Sequence, residues 1–170
     1  MQRTLPRVKD INWSDPRYIR AGIIPVIQQG GVKFYGFGVE NVIGSIGDFG
    51  GHREKIDRDA LDGALREYRE EGLNVFGDIT REMVQNYFVL DGSDTAEILV
   101  PITGTMYKYT EIFRNMVATA TDHEVQDVIW LSRRQLLTAI DSQEAAFNGI
   151  KLYHMYYRVR DCIHRNRDLI

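Results

Sequence analysis

The residues of this 170-residue chain best suited to chemistry are Glu67, Glu70 and Glu71, in the run Arg66-Glu67-Tyr68-Arg69-Glu70-Glu71. At spacings i, i+3 and i+4 they share one side of a helix, where like charges repel unless a cation or water screens them. A hard divalent cation is one such screen, because Mg²⁺ takes oxygen ligands, keeps several waters and bridges carboxylates to substrate phosphates. In that position it neutralises a leaving phosphate and activates an attacking water. A solvated helix face is the other reading, and the glutamate spacing by itself favours that one.

The element that must position these acids is a helix from about Ala60 to Glu71. Asp57 and Asp59 are both N-cap candidates, since a short carboxylate accepts the free N–H groups of a first turn and meets the positive end of the helix dipole. Gly72 follows as a left-handed C-cap. Ala60, Leu61, Ala64, Leu65 and Tyr68 form the apolar stripe, and the glutamates border it. Arg66 stands four residues before Glu70, at ion-pair spacing.

The wider stretch Gly50 to Leu73 resembles the Nudix box, whose pattern is Gly, five residues, Glu, seven residues, Arg-Glu, an aliphatic, any residue, Glu-Glu, any residue, Gly and an aliphatic. Residues 66–71 match its centre, with Tyr68 in the aliphatic slot, and Gly51 and Gly72 keep the family's mutual spacing. Two departures stand out. The acid six residues after Gly51 is Asp57 rather than Glu, with eight residues between it and Arg66, and Gly72 follows Glu71 without a spacer. The helix has slid by one residue between two fixed glycines.

The resemblance implies an α/β fold, a Nudix-type α/β/α sandwich with a mixed sheet. It also implies a site in which Glu67, Glu70, Glu71 and the Gly51 carbonyl hold Mg²⁺ or Mn²⁺, with Arg66 orienting a box glutamate. Arg53, in the loop after Gly51, is a candidate for gripping substrate phosphate, although a solvated loop explains it as well. Glu124, in an acidic loop six residues before Trp130, is the candidate for the remote acid or general base, with Asp122 and His123 as neighbours open to that role.

Along the chain, residues 1–20 read as an irregular lead-in. Ala21–Gln28 and Val32–Val39 form a hairpin around Gly30-Gly31. Met83–Leu90 and Ala96–Tyr107 read as two strands joined by Asp91-Gly92-Ser93-Asp94, and Glu97 on the second faces solvent or reaches the site. Thr110–Thr119 is a short helix or loop. Asp127–Leu131 is a strand after which Ser132 caps a helix, and residues 143–167 read as a long terminal helix with a break at Asn148-Gly149. No repeat or linker divides the chain, so 1–170 reads as one domain.

Composition sets the remaining bounds. Apolar content of 44% and charged content of 26% are ordinary for a folded chain and exclude a disordered one. The single cysteine, Cys162, excludes an intramolecular disulfide and a cysteine zinc cluster. The absence of a long apolar run points away from membranes and toward an intracellular, cytoplasmic setting. Residues 1–20 and 151–170 each carry five Lys/Arg against two Asp, around an acidic centre.

Together with the resemblance, these features imply hydrolysis of a phosphoanhydride in a nucleoside diphosphate linked to another group. The alternatives are decapping of capped RNA, whose chain the basic ends would meet, and a non-catalytic nucleotide- or RNA-binding module. The family's habit of dimerising makes a homodimer an open expectation.

Overall fold

The computed structural model describes residues 3–40, 44–120, 122–142, 145–147 and 151–170. Its axis is β1 (Arg20–Gln29), whose first six residues are all buried, as expected of a strand inside a sheet covered on both faces. On one side β1 runs parallel to β6 (Thr95–Ile102), from Arg20↔Thr95 to Ile27↔Ile102. On the other it has two successive antiparallel partners. Arg20–Ile23 pair with β4 (Phe49–His52), and Val26–Gln29 pair with β2 (Val32–Glu40) across a two-residue turn at Gly30-Gly31. Both turn glycines have positive φ, 60° and 76°, the geometry that matches the twist of a tight hairpin.

Pro25 falls between these two pairings, where that side of β1 has no partner, and a residue without an N–H is tolerated where a ladder is interrupted. Past this point β2 parts from β1 and takes β3 (Ser45–Gly47) on the side β1 has left and β7 (Val125–Ser132) on the other. Strands β3 and β4 are joined by Asp48 alone, so the sheet forks with Asp48 at the apex. The sheet is completed by β5 (Val89–Asp91) on β6, β9 (Lys151–Met155) parallel to β3, and β8 (Ala145–Phe147) on β9.

Among the described residues four α-helices cover the sheet: α1 (Ala60–Glu71), α2 (Met106–Thr119), α3 (Arg133–Ser142) and α4 (Tyr157–Arg165). Helices α1 and α2 pack with the lead-in residues Trp13 and Tyr18 on one face, around Ile23, Phe49 and Ile98. Helices α3 and α4 pack on the other, around Ile24, Phe37 and Ile129. The result is the expected α/β/α sandwich on a mixed sheet. Leu61, Leu65 and Tyr68 anchor α1, each side chain contributing about 1.5–3 kcal/mol by leaving water.

The structure corrects several local expectations. Residues 143–167 are not one long helix. Lys151–Met155 is strand β9, because Ser45↔His154 and Ile46↔Met155 pair across the sheet, and helix begins only at Tyr157. The suggested break at Asn148-Gly149 lies outside the described residues. The strand expected to reach Tyr107 ends at Ile102; Thr105 then accepts the Lys108 N–H at 3.3 Å and starts α2. Of Met83–Leu90, only Val89 and Leu90 lie in a strand. The earlier part turns and hands its carbonyls to the lead-in, with Val8 N–H donating to Tyr87 and Lys9 N–H to Gln85.

Candidate active site

Helix α1 has the expected bounds, with one cap chosen and one role reassigned. Asp59 is the N-cap, accepting the Asp62 N–H at 3.0 Å. Asp57 accepts the Glu54 N–H at 2.8 Å and forks with Arg66, whose Nε and Nη2 donate to its two oxygens at 3.0 and 2.9 Å. The one-residue slide therefore leaves the first acid paired with the arginine. The Arg66 hydrogen bond holds the Asp57 carboxyl below the usual carboxylate range, against the opposite pull of burial.

At the C-terminus Gly72 is not left-handed, with φ −89°; Leu73 and Asn74 take that conformation instead, at 54° and 56°. Gly72 is required by close approach, since a Cβ there would lie 2.8 Å from both Tyr68 Cδ1 and the Tyr68 carbonyl. Tyr68, the residue in the aliphatic slot, uses its hydroxyl to bind the loop that follows. It donates to the Gly77 carbonyl at 2.7 Å and accepts the Phe76 N–H at 3.0 Å.

Arg66 also gathers the box acids. Its Nη1 donates to Glu67 Oε1 at 3.0 Å and to Glu70 Oε2 at 3.3 Å, and its Nη2 to the His52 carbonyl at 3.3 Å. Glu67 lies directly against Gly51: a Cβ on that glycine would fall 2.5 Å from Glu67 Cδ. Burial raises the Glu67 pKa above the ordinary carboxylate value despite Arg66.

A cavity of about 280 Å³ opens where the sheet forks. Gly51 from β4, Glu71 from the end of α1 and Glu124 from the loop before β7 all line it, with Glu40, Asp48 and Arg20. Burial, followed by the charges of Glu124, Glu67, Glu40 and Glu70, pushes Glu71 up to about 7. The one guanidinium in the lining, Arg20, is held by Asp48 and Glu97, so Glu71 faces other carboxylates without a cation of its own. Glu40, Glu71, Glu124 and the backbone at Gly51 offer oxygen donors there, the chemistry that suits Mg²⁺ or Mn²⁺. Among the described residues no three acidic, histidine or cysteine side chains already stand at metal-ligating spacing. Closure around an ion therefore needs side-chain rotation, which the exposed Glu124 is free to make.

His123, open to a base role by its position, instead donates from Nε2 to the Glu71 carbonyl at 2.8 Å, tying the Glu124 loop to the end of α1. Asp122 is exposed, with φ 55°. Of the predicted site residues, Glu67, Arg66, Glu70 and Arg53 do not line the cavity; Glu67 stands beside it, against Gly51. Glu70 is 60% exposed beside Arg66, and Arg53 is half-buried near Asp57.

Three features escaped the sequence. Glu40 at the end of β2 and Tyr156 before α4 reach the cavity only through the fork. Glu97 does not face solvent; it is fully buried against Arg20, which also pairs with Asp48. The available signal was a charge inside each apolar run, Arg20 before Ala-Gly-Ile-Ile and Glu97 before Ile-Leu-Val. A larger apolar groove of about 920 Å³, lined by Val26, Tyr35, Phe88 and Leu99 among others, carries no acid from its lining side chains.

No protein-family model matches the chain, and no curated protein does. Solved structures do. A Nudix hydrolase from M. smegmatis, RenU, is 12% identical over 92% of this chain and 86% of its own, with a TM-score of 0.52. A C. elegans Ap4A hydrolase in a binary complex is 16% identical over 72% and 86%, at 0.47. A NUDIX-family hydrolase from Clostridium perfringens is 10% identical over 89% and 97%, at 0.43. The likeness to the first of these gives the architecture: the chain has the fold of the Nudix hydrolases.

Proposed function

We propose that this protein hydrolyses a phosphoanhydride bond in a nucleoside diphosphate linked to another group, using Mg²⁺ or Mn²⁺. The observation that carries the reading is the meeting of Gly51, Glu71 and Glu124, from three separate elements, on one cavity at the fork of a Nudix-fold sheet. Glu67, Glu71 and the Gly51 carbonyl would hold the cation, with Glu70 at the outer edge. When bound, the cation supplies charge neutralisation for the leaving phosphate and a lowered pKa for the attacking water.

The chain's own groups do the rest. Arg66 fixes the rotamers of Glu67 and Glu70. Glu124, at the rim, takes the proton from water, and Arg53 meets a phosphate outside the cavity.

The basic ends give little support to capped RNA, because much of their charge is used internally. Arg17 pairs with Asp91 at 3.1 Å, Arg167 with Asp141 at 2.8 Å, and Arg158 with Asp94. Arg3 donates to the Arg165 carbonyl and to Asn166.

The test is product release from nucleoside triphosphates, dinucleotides, nucleotide sugars and capped RNA, with each metal, comparing wild type with Glu70→Gln, Glu71→Gln and Glu124→Gln. Cleavage of one class, lost without metal and in Glu71→Gln, is expected. Nucleotide binding without turnover in wild type would instead identify a binding module.

A further inference from the structure

At the cavity wall, Asp48 is half of a buried carboxyl pair that the proposed chemistry does not use; the other half is Glu97. Arg20 forks onto Asp48, with Nη2 donating to Oδ1 at 2.7 Å and Nη1 to Oδ2 at 3.0 Å. The same Nη1 reaches Glu97 Oε1 only at 3.3 Å. The two carboxyls come together beside Gly22, which is level with Glu97 in the parallel ladder. The missing side chain makes the room: a Cβ on Gly22 would fall 1.9 Å from Asp48 Oδ2. Arg20 Nη1 is thus shared between Asp48 Oδ2 and Glu97 Oε1, and all three side chains are at most 3% exposed.

One cation thus faces two carboxyls. With both ionised, the cluster would bury a net negative charge, and Glu97 Oε2 would have no donor. Charge-assisted contacts close to about 2.7–2.9 Å, a range that Asp48 reaches and Glu97 does not. A proton on Glu97 accounts for both observations. Its O–H donates to Asp48, and its other oxygen remains a neutral acceptor for Arg20. Burial, with Asp48 beside it, pushes Glu97 in the same direction. The Tyr156 ring, 5.2 Å from the Arg20 guanidinium, and the Cys162 thiol of α4 also stand near the cluster, and the exposed His52 is level with Arg20 in the β1–β4 ladder.

Asp48 is the one residue between β3 and β4, and Gly51 follows it by three positions. Building on the hydrolase reading, we propose that Glu97 is a positioning residue: it donates its carboxyl proton to Asp48 and, with Arg20, clamps the start of β4 so that the Gly51 carbonyl faces the cation site.

Infrared spectroscopy of the metal-free protein at about pH 8 tests the proton, with difference spectra between variants removing every other acid. The carbonyl band of a protonated carboxylic acid is expected in wild type and absent in Glu97→Gln. It is also expected to vanish in Asp48→Asn, where Glu97 becomes the only counter-ion for Arg20. A wild type without the band, or a band that survives in Asp48→Asn, overturns the proposal.

Calorimetric Mn²⁺ titration tests the positioning. Glu97→Gln, whose amide donates the same bond, should bind within about threefold of wild type, while Glu97→Met, of similar volume but without a donor, should bind about tenfold or more weakly while remaining folded. Equal affinity in a folded Met variant, or a wild type that binds no Mn²⁺, overturns the positioning role. If the Met variant does not fold, Glu97→Gln decides alone: retained affinity supports the clamp and a tenfold loss overturns it. None of these measurements uses turnover. Failure of the hydrolase reading alone would appear as absent cleavage with the band and the Mn²⁺ affinities intact.

Discussion

Replacing Arg66 by Met should destabilise the protein through the acids that this side chain gathers. The side chain is 12% exposed and makes two bonds to Asp57, one to Glu67 and one to Glu70. Asp57 is 4% exposed, so Arg66→Met leaves an almost buried carboxylate without its cation. Breaking such a pair costs about 3–5 kcal/mol; the Glu54 N–H still serves Asp57, which puts the expectation near the lower end, about 3 kcal/mol. For a chain of this size that loss lowers Tm by about 6–12 °C.

The pH dependence has a definite sign. The folded Asp57 pKa lies below its unfolded value, so the stability it contributes is present above the unfolded pKa of about 3.9 and is lost as pH falls through the folded pKa. The difference between wild type and Arg66→Met should therefore be full at neutral pH and shrink on acidification. Urea unfolding followed by circular dichroism, at neutral pH and near pH 4, measures both. Adding Asp57→Asn to Arg66→Met should recover part of the loss, because it removes the orphaned charge. A neutral-pH loss below about 1 kcal/mol, or a double variant no more stable than Arg66→Met, would refute the reasoning.

Three further outcomes follow from other parts of the site. Because Glu71 sits near pKa 7, Mn²⁺ binding should strengthen as pH rises through that value and release a proton below it; titration in buffers of different ionisation enthalpy reads the proton, and Glu71→Gln should abolish its release. Tyr68→Phe removes the acceptor of the Phe76 N–H and the donor to Gly77, and should cost about 1–3 kcal/mol in urea unfolding; an unchanged midpoint would remove the hydroxyl from the account of the loop. Gly72→Ala should cost about 1–3 kcal/mol through the contact with the Tyr68 carbonyl, although its φ of −89° suits alanine; a neutral effect would show that the helix end relaxes freely.

The sequence by itself determined the elements whose cause is local. Helix α1 from Ala60 to Glu71 follows from the apolar stripe and an acid before the first turn, and the Arg66–Glu70 contact follows from i, i+4 spacing. The hairpin of β1 and β2 follows from alternating apolar residues around Gly30-Gly31. Tertiary structure decided everything that depends on residues far apart in the chain. Strand β9 exists because it docks beside β3 across more than a hundred residues, whereas its local pattern is compatible with helix. Glu97, a lone acid in an apolar strand, lies inside because Arg20 and Asp48 meet it beside a glycine. Glu40 and Glu124 meet Glu71 only because β2 parts from β1 at Pro25 and opens the cavity. Periodicity reports which face of an element leaves water. Which charged groups share that interior depends on strand order and register, and these are fixed by long-range pairings that no short window of sequence contains.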